Sequence, residues 1–470
     1  MGIRIGIGGL KIGQGSTGVN WSSYWTKPFD AEAETGDGLT YATAWNGFTN
    51  IDWSAMASGD TLYICGTHKE ILIVGISGTE SRSFTIRGDY DGAAGIISGE
   101  DTRTECIKIT SKDYVTVKNI TLNDPTVSCM LVEGTSMGIL GDNISASGSG
   151  NQAFQHLDTA NASYINCTAD GNIDDGFSCH GSAEITATNC IISNNAEGLN
   201  LADTAKITAI GCTFTGNTSY DAVLSSGEIS ISNSVLSQNI KAEVTGILTL
   251  NGCLILGTVA TFGGGAIVAN KCYFKNYVNI AALGDGDFKN CYFDGGALNN
   301  HIINTYSTVD FLSCVFKSVT SNKYAIVFRL GSVGTLNGCT FIGNNKTGDG
   351  FYTLVNVTVN NCIFTKLGVA YNNSGGTSVT YNCCFYDNTT LASGTVTQNY
   401  SQTDDPVLSD IANNDFSLGS GSCCIGTGKD LGDDYDDGID TAAWGDGATT
   451  VPVVTTKVQA AAWDIGAYIS

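Results

Sequence analysis

Thirteen times between residues 120 and 383, a short apolar strand opens with one recurring signature, and this repeat restricts the fold more than any other feature. The opening residues are Ile120, Ile144, Cys167, Cys190, Cys212, Ser234, Cys253, Cys272, Cys291, Cys314, Cys339, Cys362 and Cys383, spaced 19 to 25 residues apart. Two positions on, Phe214, Phe274, Phe293, Phe316, Phe341, Phe364 and Phe385 recur, and an asparagine such as Asn166, Asn189 or Asn290 often stands just before the opening residue. A period near 22 residues with two-residue alternation inside each unit means one coil of short strands per repeat. Residues two apart on a strand point the same way, so successive coils build interior stacks of thiols and of rings. A free thiol packs there as a small hydrophobe. Asparagine suits the corner because it tolerates left-handed backbone and can bond turn to turn.

The 17 cysteines are odd in number and include no C-x-x-C pair. They are expected as reduced thiols in a ladder, since a disulfide framework belongs to small secreted scaffolds and metal sites favour spaced pairs. The adjacent pairs Cys383–Cys384 and Cys423–Cys424 are poor chelates on their own. The chain has 59 Gly, only four Pro, and 14% charged residues. That is the vocabulary of short strands and tight turns.

A net charge of −23 with scattered Lys and Arg argues against nucleic acid as a partner. No apolar run approaches the roughly 18 residues that membrane spanning requires. The N-terminal stretch is interrupted by glycine and does not read as a secretory signal, so folding in a reducing cytoplasm is expected.

The repeat resembles the right-handed parallel β-helix of pectate-lyase-like proteins, the class that includes phage tail spikes, tail fibres and bacterial surface β-helices. The resemblance implies an all-β solenoid of about 13 coils of ~22 residues, with caps at both ends. "TGDGLTYATAWNGF" resembles the entry segment of that class, and "NDFSLGSGSCCIGTG" and "DIGAY" resemble its terminal segment. The expected organisation is an attachment peptide over 1–28, an N-terminal cap over 29–60, the β-helix over 61–400 and a C-terminal cap over 401–470. Residues 1–28 resemble phage attachment peptides, with Trp21, Tyr24 and Trp25 as the aromatic anchors toward other tail proteins.

Aligning neighbouring coils back from their opening residues places Gln152, Asp175, Glu197 and Asp221 in one column, with Asp174 beside it and Asp170 in the preceding turn. Gln155, Ser178 and Asn200 fall on the next outward position, with His156 and His180 nearby. Carboxylates stacked at coil spacing repel one another unless a cation or a shared proton compensates. Asp175, Glu197, Asp221 and His180 are therefore the candidate catalytic set for glycoside hydrolysis. Gln155, Ser178, Asn200 and His156 are the candidate substrate contacts. "DDGF" also resembles the aspartate-rich turn of calcium-dependent pectate lyases, which implies Asp170, Asp174 and Asp175 as calcium ligands. Those enzymes need a Lys or Arg base, and the nearest candidate, Lys206, aligns with Glu184 and Glu228 as a surface charge ladder.

The resemblance implies a virion tail-spike or fibre protein that binds, or also depolymerises, a bacterial cell-surface polysaccharide, as a homotrimer. A bacterial extracellular polysaccharide lyase or glycoside hydrolase is the second expectation. A non-catalytic rod or adhesin is the third.

Overall fold

The computed structural model describes residues 22–31, 33–91, 93–296, 300–317, 323–444, 450–459 and 463–469. Each coil gives one strand to each of three parallel sheets. Strands Asp175–Cys179, Glu184–Thr188 and Ile191–Ser193 of one coil pair in parallel with Glu197–Leu201, Lys206–Ile210 and Thr213–Thr215 of the next. Repetition of this unit makes a parallel β-solenoid of about 16 turns. The turns beyond thirteen lie mainly at the N-terminal end, where Ser23–Lys27, Thr61–Ile64 and Phe84–Arg87 stack without the Cys and Asn signature.

The repeat signature works as its chemistry dictates. The corner residues Asn119, Asn143, Asn166, Asn189, Asn233, Asn290, Asn361 and Asn382 all have φ between 48° and 54°. Such left-handed backbone is cheap for asparagine and costly for most other side chains. All 17 cysteines are free, and every one except Cys423 is buried. In the ladder each thiol donates to the carbonyl two residues earlier, at 3.2 to 3.6 Å. Ser234 replaces cysteine and keeps the same bond, Oγ to the Ser232 carbonyl at 2.8 Å. Beside the thiols, Phe274, Phe293, Phe316, Phe341, Phe364 and Phe385 stack with centroids 4.7 to 5.1 Å apart and planes within 10°. That spacing is set by the distance between adjacent strands.

A second, polar ladder lies inside the turn before the first sheet. Asn172, Asn195 and Asn217 are each at most 3% exposed. The side-chain oxygens of Asn172, Asn195 and Asn217 accept from the backbone N–H of Ser149, Asn172 and Asn195 one coil back, at 3.0 to 3.1 Å. Buried amides bonded in this way hold one coil in register on the next, because an unpaired polar group there would be costly.

Both chain ends depart from the expected boundaries. Among the described residues the coil stack begins at Ser23, ahead of residue 61, because Ser23–Lys27 lies parallel to Thr61–Ile64. Tyr24 is buried, stacked on Trp45 at 5.5 Å, and Trp25 stacks on Tyr63 at 5.5 Å. These two aromatics hold the first coil together and are not free anchors for another protein. Trp21 lies outside the described residues.

Gln402 still pairs in parallel with Cys384 on the last coil. Beyond it, the described residues up to 469 fold back along the outer face of the third sheet. Phe416, Ile439, Trp444 and Tyr468 form one buried cluster with Leu254, Tyr273, Tyr292, Val315 and Ile342. The cause is the outward row Leu254, Tyr273, Tyr292, Val315, Thr340, Ile363, Cys384, which runs in register through successive coils. A row this apolar needs cover, and the C-terminal strap provides it.

Candidate functional site on the first sheet

The acidic column sits where the first-sheet strands begin. Asp175 pairs with Glu197 across adjacent coils, and Ser178 pairs with Asn200. Asp175 and Ser178 both face outward although three residues apart, because the strand bends at Gly176. A side chain at Gly176 would point inward, meeting Ile192 and Asn195.

The same bend corrects the assignment of Asp221. Glu197 is opposite Tyr220, and Leu199 is opposite Ala222, so Asp221 occupies the inward position of Gly198. Asp221 is fully buried. Its carboxylate accepts from Asn217 Nδ2 at 2.8 Å and from the Gln238 N–H at 2.7 Å. It terminates the asparagine ladder and is no part of a catalytic face. His156 is corrected for a similar reason. It is fully buried, with Nε2 2.7 Å from the Tyr164 hydroxyl, and burial depresses its pKa to about 3. It belongs to the core and cannot touch a substrate.

The remaining residues do converge. Asn200 Nδ2 donates to Glu197 at 2.9 Å and to Asp175 at 3.3 Å. Ser178 is buried, hydrogen-bonds Asp175, and lies 3.1 Å from His180 Nε2. The hydroxyl therefore sits between acid and imidazole, out of solvent, which is the wrong order and the wrong exposure for a nucleophilic serine. Gln152 Nε2 reaches Asp174 at 3.5 Å. Gln155 stays on the outward row in register with Ser178.

Burial, then the negative charges of Asp174 and Glu197, push Asp175 up to about 7. Burial and Asp174 also raise Glu197, while the Lys241 ammonium opposes that rise. The two neighbouring carboxyls thus have different electrostatic partners, the arrangement that lets one hold a proton while the other is ionised. Asp175 is only 1% exposed, whereas Glu197 and Asp174 are half-buried at the surface. Asp175 is the floor of the site and Glu197 lies at its surface.

Lys241 was not visible in the coil alignment. It enters the row through a register shift after Tyr220, which places it opposite Val223 and two coils beyond Asn200. Hydrogen bonding to Glu243 raises its pKa, so it is held protonated and cannot act as a Brønsted base at neutral pH. Lys206 pairs with Glu228 at 3.7 Å, in register between Glu184 and Glu228.

The expected calcium triad does not assemble. Asp170 accepts from Ser193 Oγ at 2.6 Å and Asn194 Nδ2 at 2.8 Å, which commits it to the next coil's turn. Among the described residues, the one group of three or more potential ligands within 4.8 Å of one another consists of thiols. A second acidic pair was also missed. Asp287 and Asp310 are in register on the second sheet and line a cleft of about 320 Å³ that Tyr435 of the strap also lines. Their signal was a pair of outward acids at equal distance from Cys291 and Cys314; the cleft itself depends on the strap.

A family model described as a right-handed beta helix region matches residues 99–293. Among solved structures, the chain is similar to a pectate lyase at 12% identity, covering 96% of this chain and 97% of that one, with a TM-score of 0.33. It is similar to the A-module of an Azotobacter vinelandii mannuronan C-5 epimerase at 12% identity, covering 82% and 89%, with a TM-score of 0.31. A protein of Geobacillus virus E2 is similar at 13% identity over 74% of this chain and 54% of that one, with a TM-score of 0.26. No curated protein matches the sequence.

Proposed function

We propose that the first-sheet wall binds a bacterial cell-surface polysaccharide and that Glu197 transfers protons in its hydrolysis, the protein serving as a tail-spike or fibre-like component of a virion. The observation that carries the reading is the cluster of Glu197 and Asp175, bridged by Asn200, with Asp174 beside them, on a polar wall where Glu197 and Asp174 reach the surface. Glycoside hydrolysis uses two carboxyl groups whose environments hold one protonated and one ionised. Glu197 and Asp174 are the two that reach the surface, and Asp175 behind them is pushed up to about 7. Asp175 is a positioning residue. A net charge of −23 favours a neutral glycan over a polyuronate, which the wall would repel. The same repulsion, together with a protonated Lys241, disfavours lyase chemistry.

The free thiols support assembly in a reducing compartment. In this reading the segment ahead of Ser23 docks to other tail proteins, and the rods associate as homotrimers. The test is a reducing-end assay on surface glycans from candidate hosts. Glu197→Gln should stop product release and leave glycan binding measurable, while Asp175→Asn should shift the pH profile. Equal product release by wild type and Glu197→Gln would remove the enzymatic part, and loss of all glycan binding would remove the whole reading.

A further inference from the structure

The strap meets the wall through three thiols that the interior ladder does not use. Cys384 follows the ladder residue Cys383 and so points outward, in register with Ile363 at the end of the covered row. Cys423 and Cys424 arrive from the strap. The Cys384 and Cys423 sulfurs are 3.8 Å apart, as are those of Cys423 and Cys424, and all three lie within 4.8 Å of one another. The setting differs from the ladder. Cys384 and Cys423 both turn to the Asp404 carbonyl, at 3.4 and 3.3 Å, and Cys423 is the one thiol in the chain that is partly open to solvent. Ile363 and Ile465 pack beside Cys384 and Cys424 and keep the other side dry.

Tetrahedral geometry with zinc–sulfur bonds of about 2.3 Å places ligand sulfurs about 3.8 Å apart. Two of the three pairs already stand at that spacing. A set of thiolates alone selects soft cations, zinc(II) or copper(I), over calcium or magnesium. We propose that Cys384, Cys423 and Cys424 form a zinc site that fastens the C-terminal strap to the β-helix wall, with a fourth position open to water on the Cys423 side. Adjacent cysteines are poor chelates alone, but the fold adds a third ligand from a residue 39 positions earlier in the chain. The metal would close residues 385–422 as a loop and so pin the first part of the strap to the wall.

Binding must displace thiol protons, so affinity should fall as pH falls.

The experiment uses the full chain, purified under reducing conditions, loaded with zinc and desalted, with metal content measured by mass spectrometry. One zinc per chain is expected, and cobalt(II) in its place should give thiolate-to-metal charge-transfer absorption. Cys423→Ser, at the most exposed position and least disruptive to folding, should weaken zinc by roughly tenfold or more and reduce the cobalt band. Cys291→Ser, in the interior ladder, should leave both unchanged. Chelation should sensitise residues 401–469 to protease while the coils stay resistant. Failure to retain zinc, a cobalt band that persists in Cys423→Ser, or a disulfide among these cysteines in the freshly reduced and desalted chain would each overturn the proposal.

Discussion

Asn200 lies one coil beyond Asp175 and donates its side-chain amide to that carboxyl at 3.3 Å. Together with Ser178 it opposes a rise in pKa that burial and the neighbouring acids drive from 3.8 to about 7. A carboxyl raised on folding takes up a proton between those two pH values. Its stabilising contribution is therefore complete below about pH 4 and is lost as pH climbs through 7. Asp175→Asn should be flat across that window and more stable than wild type at higher pH, by on the order of a few kcal/mol at most. Urea unfolding near pH 5 and near pH 8 checks the sign. Asn200→Ala should move the window upward.

His156 behaves oppositely. Its pKa falls from 6.5 to about 3 on burial, so the unfolded chain binds the extra proton and stability drops as pH falls through that range. Tyr164→Phe leaves the imidazole Nε2 without its 2.7 Å partner and should destabilise by about 1–3 kcal/mol. Polysaccharide binding by that variant, measured on the folded protein, should be unchanged.

In the thiol column, Ser234 shows that a hydroxyl finds the same carbonyl as the cysteines do. Cys314→Ser should therefore cost only about 1 kcal/mol, within the range for exchanging partners in a satisfied hydrogen bond. Cys314→Phe should cost more, through overpacking of a fully buried site. Chemical denaturation midpoints separate the two.

Trp444 is 2% exposed, packed on Tyr273 and Tyr292 and bonded through Nε1 to the Tyr468 hydroxyl at 3.0 Å. Trp444→Ala should destabilise the strap by about 3–5 kcal/mol. Hydrogen exchange should rise over residues 401–469 and stay slow in the coils.

The coils were legible because their chemistry is local and repeated. Cys, Phe and Asn recur where a strand, a stack and a left-handed corner each need them, and one sequence period is one turn of solenoid. The first turns carry no such signature, and the strand Ser23–Lys27, ahead of residue 61, is decided only by its parallel pairing with Thr61–Ile64. The acid cluster was half legible: Asp175, Glu197, Ser178 and Asn200 follow from coil alignment, because register is regular where coil lengths match. Asp221 and Lys241 were not. A bend at Gly176 and Gly198 and a register shift after Tyr220 decide which side chains face inward, and both arise from backbone geometry between coils. The alternating pattern likewise could not say that the outward row from Leu254 to Cys384 would be covered, or by what. Its turn from polar to apolar was written in the sequence, but only the returning strap brought Trp444 onto Tyr292 and Cys423 onto Cys384. Nearest-neighbour stacking is encoded every ~22 residues; contacts between the strap and the coils are made once, and nothing in the repeat encodes them.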